Sequence, residues 1–124
     1  MARILCIDDE RDILELHSIV LRRAGHEVIA VGTGEEALGV VASQAVDLVV
    51  SDLLRGVEGA DYLARIRQAR PAAPILVLSG YPERPQGLEF VDEFLSKGSR
   101  AGELVEVVER LLREAPGWAQ GNTA

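Results

Sequence analysis

The chain has few of the features that mark secreted, membrane-spanning or nucleic-acid-binding proteins. Its one cysteine, Cys6, lies in the apolar run from Ala2 to Ile7 and has no possible disulfide partner. The N-terminus reaches two aspartates before any long apolar segment, unlike a signal peptide or a membrane span. A net charge of -7 without a Lys/Arg cluster argues against direct binding to nucleic acid. We therefore expect a cytoplasmic protein that binds neither membranes nor nucleic acids directly.

Length and composition predict one folded domain. The 124 residues are 48% hydrophobic and 27% charged, which is typical of a folded protein. Repeats, low-complexity segments and a phosphate loop of the Gly-x-x-x-x-Gly-Lys type are absent from the sequence. We expect one domain over residues 1–114, followed by a loosely ordered tail over residues 115–124.

Short apolar runs alternate with stretches of helical period, a pattern typical of βα units around a parallel sheet. The predicted strands are Arg3 to Ile7, Glu27 to Val31, Asp47 to Ser51, Pro74 to Ser79 and Glu93 to Ser96. The first, third and fourth are the most apolar, so we expect them at the centre of the sheet. The pattern predicts a three-layer α/β sandwich with five parallel strands in the order 2-1-3-4-5.

The predicted helices lie between and after these strands. The first should bury one apolar face and stop at Gly25; that face comprises Ile13, Leu16, Val20 and Ala24. Thr33 and Glu36 form a capping box that opens the second helix. The remaining predicted helices are Ala60 to Ala69, a shortened fourth helix over Gln86 to Val91 limited by Pro82 and Pro85, and Ser99 to Glu114.

Acidic residues follow the first and third predicted strands. Asp8, Asp9 and Glu10 come directly after strand 1, and Asp52 follows strand 3. In an open parallel sheet, ligands bind at the carboxyl ends of the strands where the strand order reverses. Crowded carboxylates raise one another's pKa unless a cation bridges them, and oxygen ligands suit magnesium. The sequence therefore predicts a divalent-ion site at this edge.

A hydroxyl and a positive charge are predicted at the same edge. Ser79 ends strand 4 and Lys97 follows strand 5. A donor and an ammonium are what the oxygens of a transferring phosphoryl group need. The predicted site is therefore suited to phosphate as well as to metal.

These motifs, Asp8-Asp9-Glu10, Asp52, Ser79-Gly80-Tyr81 and Lys97, resemble the CheY-like receiver domain of two-component response regulators. The resemblance covers about residues 2 to 113. Each motif alone is weak, but the four in order, each just after a strand, form a specific combination. The resemblance implies a flavodoxin-like fold and a phosphorelay signalling function. The phosphoryl donor would be a histidine kinase or a histidine phosphotransfer protein, and the phosphorylated domain would switch its binding to a downstream protein partner.

The same resemblance assigns roles to individual residues. Asp52 would be the phosphoacceptor, forming an aspartyl phosphate in a Mg²⁺-dependent reaction. Asp9 would bind Mg²⁺ directly, Asp8 through water, and Leu54 through its backbone carbonyl. Such a domain is a switch with only slow self-catalysed phosphotransfer and dephosphorylation, rather than a metabolic enzyme.

Three further residues would respond to phosphorylation in the family's pattern. Lys97 would pair with the phosphoryl group, and Ser79 would move to donate a hydrogen bond to it. Phe94 would turn inward as the aromatic member of the switch. Together these movements would bias an equilibrium between two conformations.

The sequence departs from the family's pattern in three places. The loop Leu53-Leu54-Arg55-Gly56 lacks the usual proline, Lys97 precedes Gly98 rather than a proline in a cis peptide bond, and the span from Ser79 to Lys97 is short. From the short span we expect partner recognition to rely on the last helix more than on the fourth.

Two alternative functions and one question of organisation stay open. The departures leave open a degenerate receiver that binds partners without phosphate. A haloacid dehalogenase-type phosphatase is disfavoured because the acid it needs two residues after the nucleophile is replaced by Leu54. The domain could stand alone or belong to a larger regulator or hybrid kinase.

Overall fold

A computed structural model of the chain, which describes residues 2–52, 56–80 and 88–115, contains one parallel sheet. Its strands are β1 (Arg3–Ile7), β2 (Glu27–Val31), β3 (Leu48–Asp52), β4 (Ile75–Ser79) and β5 (Glu93–Ser96). They lie in the order β2-β1-β3-β4-β5, which confirms the predicted topology. Because the winding reverses between β1 and β3, the carboxyl ends of these two neighbours form a crevice at one edge of the sheet.

Helices cover both faces of this sheet. The described residues form α1 (Arg11–Arg23), α2 (Gly34–Ser43), α3 (Gly56–Ala69) and α4 (Ala101–Glu114). Alternate strand residues pack in one cluster with α1 and α4, and the others pack in a second cluster with α2 and α3. Every residue of β3 and β4 is buried, as predicted for doubly covered strands. None of the helices described has the length and hydropathy needed to cross a membrane.

Two predicted helix boundaries are confirmed by their local contacts. The side chain of Thr33 accepts a hydrogen bond from the N–H of Glu36 at 3.1 Å, which caps the first turn of α2. Gly25 has φ +97° just after α1, a conformation that glycine adopts without a steric penalty. The capping residue Thr33 and the helix-ending Gly25 therefore mark these helix ends as predicted from the sequence.

The buried face of α1 is only partly the predicted one, because Val20 packs against the core as predicted but the residues around it differ from the predicted set. Leu21 and Ser18 are buried and Leu14 packs against the core, whereas Leu16 is 58% exposed. The apolar residues of this helix surround most of its circumference, so their spacing fits more than one face. Ser18 is a polar residue, so the sequence did not indicate that it is buried. In the helix its hydroxyl donates to the carbonyl of Leu14 at 2.7 Å, and this bond allows its burial.

The predicted fourth helix over Gln86 to Val91 is not formed by the part that the structure describes. Leu88 to Val91 form a turn closed by a hydrogen bond from the N–H of Val91 to the carbonyl of Leu88 at 3.1 Å. Both side chains are buried in the cluster beside α2 and α3. Leu88 to Val91 thus lead into β5 through a turn, and this turn is enough to bury both apolar side chains. Residues 81–87 lie outside the described part, and so do residues 116–124 of the tail predicted over 115–124; its first residue, Ala115, is buried.

His26 is buried between the start of β1 and α4, where two hydrogen bonds hold its ring. Its Nδ1 accepts a hydrogen bond from the N–H of Ala2 at 3.2 Å. Since Nδ1 accepts, Nε2 carries the ring proton and donates to Glu109 at 2.8 Å. The imidazole thus connects the sheet to the last helix at the end opposite the acidic crevice.

We predict that Gly34→Ala destabilises the fold. A Cβ at Gly34 would lie 2.4 Å from the ring of Tyr62, so α2 and α3 would have to separate or the ring would have to move. Overpacking of this kind lowers the free energy of unfolding by about 1 to 3 kcal/mol. Chemical denaturation with urea would measure the loss.

Gly39→Ala on the same helix is the matched control. A Cβ at Gly39 meets nothing within 4 Å, so the substitution should raise stability by about 0.5 to 1 kcal/mol through helix propensity. Equal effects of the two substitutions would contradict the close packing of α2 against α3.

Candidate functional site

The structure brings three aspartates together at the carboxyl edge of the sheet. Asp8 follows β1, and its N–H extends the β1–β2 pairing by donating to the carbonyl of Val31 at 3.2 Å. Asp52 is the last residue of β3, one residue later than the predicted end of that strand. One carboxylate oxygen from each of Asp8, Asp9 and Asp52 lies within 4.8 Å of the others. The sheet thus holds side chains more than forty positions apart in sequence in one small space.

Asp8 is the more deeply buried of the two buried aspartates in this acidic cluster, the other being Asp52. Asp8 is 2% exposed, and its Oδ1 accepts the N–H of Glu10 at 2.8 Å. Its Oδ2 is buried and has no hydrogen-bond partner among the described residues. Burial raises the pKa of Asp8 to about 6; the bond from Glu10 opposes this rise, and the nearby charge of Asp52 adds to it. A buried oxygen without a donor, next to two further carboxylates, fits a divalent cation.

Lys97 supplies a positive charge to the cluster. Its Nζ lies 2.5 Å from Oδ1 of Asp52. Partial burial by itself lowers the pKa of Lys97, but the hydrogen bond and charge of Asp52, together with Asp8 and Glu10, raise it on balance. The ammonium therefore stays protonated next to Asp52, although it balances only one of the neighbouring negative charges.

Ser79 and Phe94 take different positions relative to this cluster. Ser79 is buried at the end of β4, one residue beyond Leu78, which pairs with Asp52 in the sheet. Its carbonyl accepts the N–H of Lys97 at 2.9 Å, so both residues lie at the carboxyl edge. Phe94 is half-buried in β5 and packs against the cluster beside α2 and α3. Leu54, the predicted carbonyl ligand, lies outside the described residues.

His17 is a neighbour of the site that sequence reasoning missed. It lies half-buried on α1, on the side of the helix that carries Leu14 and Leu21. Burial lowers the pKa of His17, the charge of Lys97 lowers it further, and the charge of Asp52 opposes them. Its spacing places His17 beside Ile13 and Val20 on the helix, but no sequence signal connects that position with the acidic crevice.

Comparison with known proteins agrees with this geometry. The response regulator receiver domain family matches residues 4–109. The chain belongs to this family. Receiver domains are the phosphoacceptor domains of two-component signalling systems, so the resemblance carried by the aspartates, Ser79 and Lys97 is confirmed at the level of the family.

Individual relatives span different lengths. The response regulator protein FleR of Pseudomonas aeruginosa is 34% identical over 122 residues, which cover 94% of this chain but 26% of FleR. The response regulator TrrA of Thermotoga maritima, solved in complex with Mg²⁺–BeF, is 35% identical with a TM-score of 0.82. That match covers 90% of this chain and all of TrrA. TrrA has also been solved in complex with the histidine kinase ThkA. In that structure TrrA is 34% identical to this chain with a TM-score of 0.80, and the match covers 90% of this chain and 99% of TrrA.

We predict that Asp8→Asn stabilises the metal-free protein at alkaline pH. The raised pKa of Asp8 means that its ionised form costs folding free energy above about pH 6, and that this cost vanishes below about pH 4. The variant should therefore gain roughly 1 to 3 kcal/mol at about pH 8 and nothing at acidic pH. Urea denaturation across this pH range, in the presence of a chelator, measures the difference.

Asp61→Asn is the control, because Asp61 is exposed on α3 and faces Arg65 only at 3.9 Å. It should show no comparable gain at alkaline pH. If Asp8→Asn changed the free energy of unfolding equally at all pH values, ionisation of Asp8 would not be what destabilises the wild type at alkaline pH.

Proposed function

We propose that this receiver domain accepts a phosphoryl group on Asp52 from the phosphohistidine of a kinase or a histidine phosphotransfer protein. The observation that carries the proposal is the placement of the Asp52 carboxylate, 2.5 Å from Lys97 and within 4.8 Å of the oxygens of Asp8 and Asp9. A carboxylate oxygen of Asp52 forms the new bond to phosphorus while the bond from phosphorus to the histidine nitrogen breaks. The electron pair of that bond stays on the imidazole ring.

A magnesium ion fits the residues that surround Asp52. Asp8, Asp9 and Asp52 would hold it, and the backbone carbonyl of Leu54 would be a further ligand. The buried Oδ2 of Asp8 supports this assignment, because it has no donor among the described residues. The TrrA structure supports it by similarity, since that receiver is bound to Mg²⁺–BeF. A bound Mg²⁺ ion supplies positive charge to the phosphoryl oxygens, on which negative charge accumulates during transfer.

Phosphorylation would change the interactions of the switch residues. Lys97 now pairs with the carboxylate of Asp52, and the phosphoryl group would give its ammonium a larger negative charge to bind. The hydroxyl of Ser79, at the end of the neighbouring strand, would donate to a phosphoryl oxygen. Phe94 would follow by packing inward from its half-buried position. We expect these contacts to favour one of two conformations and so to change affinity for a downstream protein.

A histidine kinase is the partner that we propose for the unphosphorylated domain. The complex of ThkA with TrrA supports this class of partner. Leu16 and Ile19 of α1 are exposed large apolar residues on the helix that follows the acidic cluster, and they would contribute apolar contact area. We place the protein in the cytoplasm, where its buried free thiol, Cys6, would stay reduced. Because the chain spans about a quarter of FleR, the output of that longer regulator is not assigned to it.

We predict that acetyl phosphate adds one phosphoryl group to the wild type in the presence of magnesium. Asp52→Asn should remain unmodified because it lacks the nucleophilic oxygen, and Asp61→Asn, exposed on α3, should react like the wild type. Intact mass spectrometry with and without a chelator measures the adduct.

The outcomes separate the possible functions. An adduct on Asp52→Asn would contradict the assigned phosphoacceptor. A wild type that neither forms an adduct nor binds beryllofluoride would indicate a receiver that works without phosphate. Sustained hydrolysis of a phosphate ester would instead indicate a phosphatase.

A further inference from the structure

The turn after β5 has a hydrogen bond that the usual sequence of the family cannot form. The N–H of Ser99 donates to the carbonyl of Ser96 at 3.0 Å, so residues 96–99 form a β-turn with Lys97 and Gly98 at its centre. The hydroxyl oxygen of Ser96 accepts the N–H of Gly98 at 3.1 Å. A proline in place of Gly98 has no N–H to donate.

The bond from Gly98 to Ser96 lies in a turn that has glycine where the family pattern has proline. The described residues contain no cis peptide bond, so Lys97 is not held by the lysine–cis-proline unit of the family pattern. Glycine gives the backbone after Lys97 wide conformational freedom. The ammonium of Lys97 nevertheless lies 2.5 Å from Asp52.

Besides the bond from Ser99 that closes the turn, two hydrogen bonds anchor the backbone on either side of Lys97. The N–H of Lys97 donates to the carbonyl of Ser79 at 2.9 Å, which fixes the start of the turn to the end of β4. The bond from Gly98 to the hydroxyl of Ser96 fixes the peptide that follows Lys97. The first anchor is a backbone contact that any residue makes, whereas the second depends on the side chain at position 96.

We propose that Ser96 is a positioning residue for Lys97. Its hydroxyl restricts the Lys97–Gly98 turn and thereby keeps the ammonium directed at Asp52, which is the task that proline performs in the family pattern. The consequence for phosphotransfer rests on the function proposed above for Asp52. The restriction of the turn does not rest on it and can be measured separately.

Ser96 and Gly98 are both exposed, which makes the positioning role separable from folding. Removing an exposed hydroxyl leaves no buried group without a partner, so global stability should change little. The dynamics of the turn and the reactivity of Asp52 should change instead. This difference distinguishes a positioning residue from a merely structural one.

The test compares Ser96→Ala with Ser96→Thr, which retains a hydroxyl acceptor. In the alanine variant, amide hydrogen exchange at Gly98 should accelerate about threefold to tenfold, and the backbone order parameter at Lys97 should fall. Phosphorylation by acetyl phosphate with magnesium should slow by about threefold to fivefold, the effect of one exposed hydrogen bond. Ser96→Thr should restore both readouts.

Substitutions at Gly98 complete a double-mutant cycle. Gly98→Pro removes the N–H, so adding Ser96→Ala should have no further effect on phosphorylation. Gly98→Ala keeps the N–H and places its Cβ at an ordinary contact distance, 3.6 Å, from the hydroxyl of Ser96. In that background Ser96→Ala should still slow the reaction.

The proposal is overturned if Ser96→Ala leaves Gly98 exchange and Lys97 order unchanged, or if it slows phosphorylation equally with proline at position 98. A wild type that takes up no phosphoryl group would contradict the proposed function alone. In that case the exchange and order measurements would still decide whether Ser96 restricts the turn.

Discussion

Repulsion among three carboxylates at the carboxyl ends of β1 and β3 is the constraint on which the site depends. The three carboxylate oxygens lie within 4.8 Å of one another, so two ionised carboxylates repel by at least about 3 kcal/mol at an effective dielectric constant of about 20. Lys97 offsets part of this by pairing with Asp52. Asp8 has the least compensation, since burial raises its pKa to about 6 and one of its oxygens has no donor among the described residues. The site thus has more negative than positive charge, and a bound cation would restore the balance.

The rest of the fold resists this repulsion. The strands that carry Asp8 and Asp52 lie at the centre of the sheet and are covered by helices on both faces, so the acids cannot separate without disrupting the core. Each fully buried leucine or isoleucine in that core contributes about 1.5 to 3 kcal/mol. At the opposite end, His26 connects the start of β1 to Glu109 of α4. A stable scaffold with destabilising charge confined to one edge is a common arrangement for a functional site.

Sequence reasoning predicted the parts of the structure that local signals determine. Five apolar runs predicted the strands and their order, and the change from apolar to acidic residues placed Asp8 and Asp52 at strand ends.

Sequence reasoning failed where the outcome depends on packing between residues distant in sequence. The face of α1 was only partly right, because Val20 packs as predicted but Ser18 is buried through a bond to its own helix. Leu88 to Val91, the described part of the predicted fourth helix, form a turn instead. His26 could not be recognised, since its partner Glu109 lies 83 positions away. The bond from Gly98 to Ser96 likewise requires the turn geometry, although the unusual glycine was visible in the sequence.

The most direct test of the central claim is a magnesium titration of the wild type followed by amide chemical shifts in NMR spectra. A site defined by a charge deficit at one edge predicts saturable shifts that are largest at Asp8, Asp9 and Asp52 and that extend to the neighbouring Lys97. The acidic surface elsewhere should respond weakly and without saturation, because exposed carboxylates attract counterions only diffusely. Absence of saturable shifts at these residues, or equal shifts across the whole acidic surface, would contradict the account.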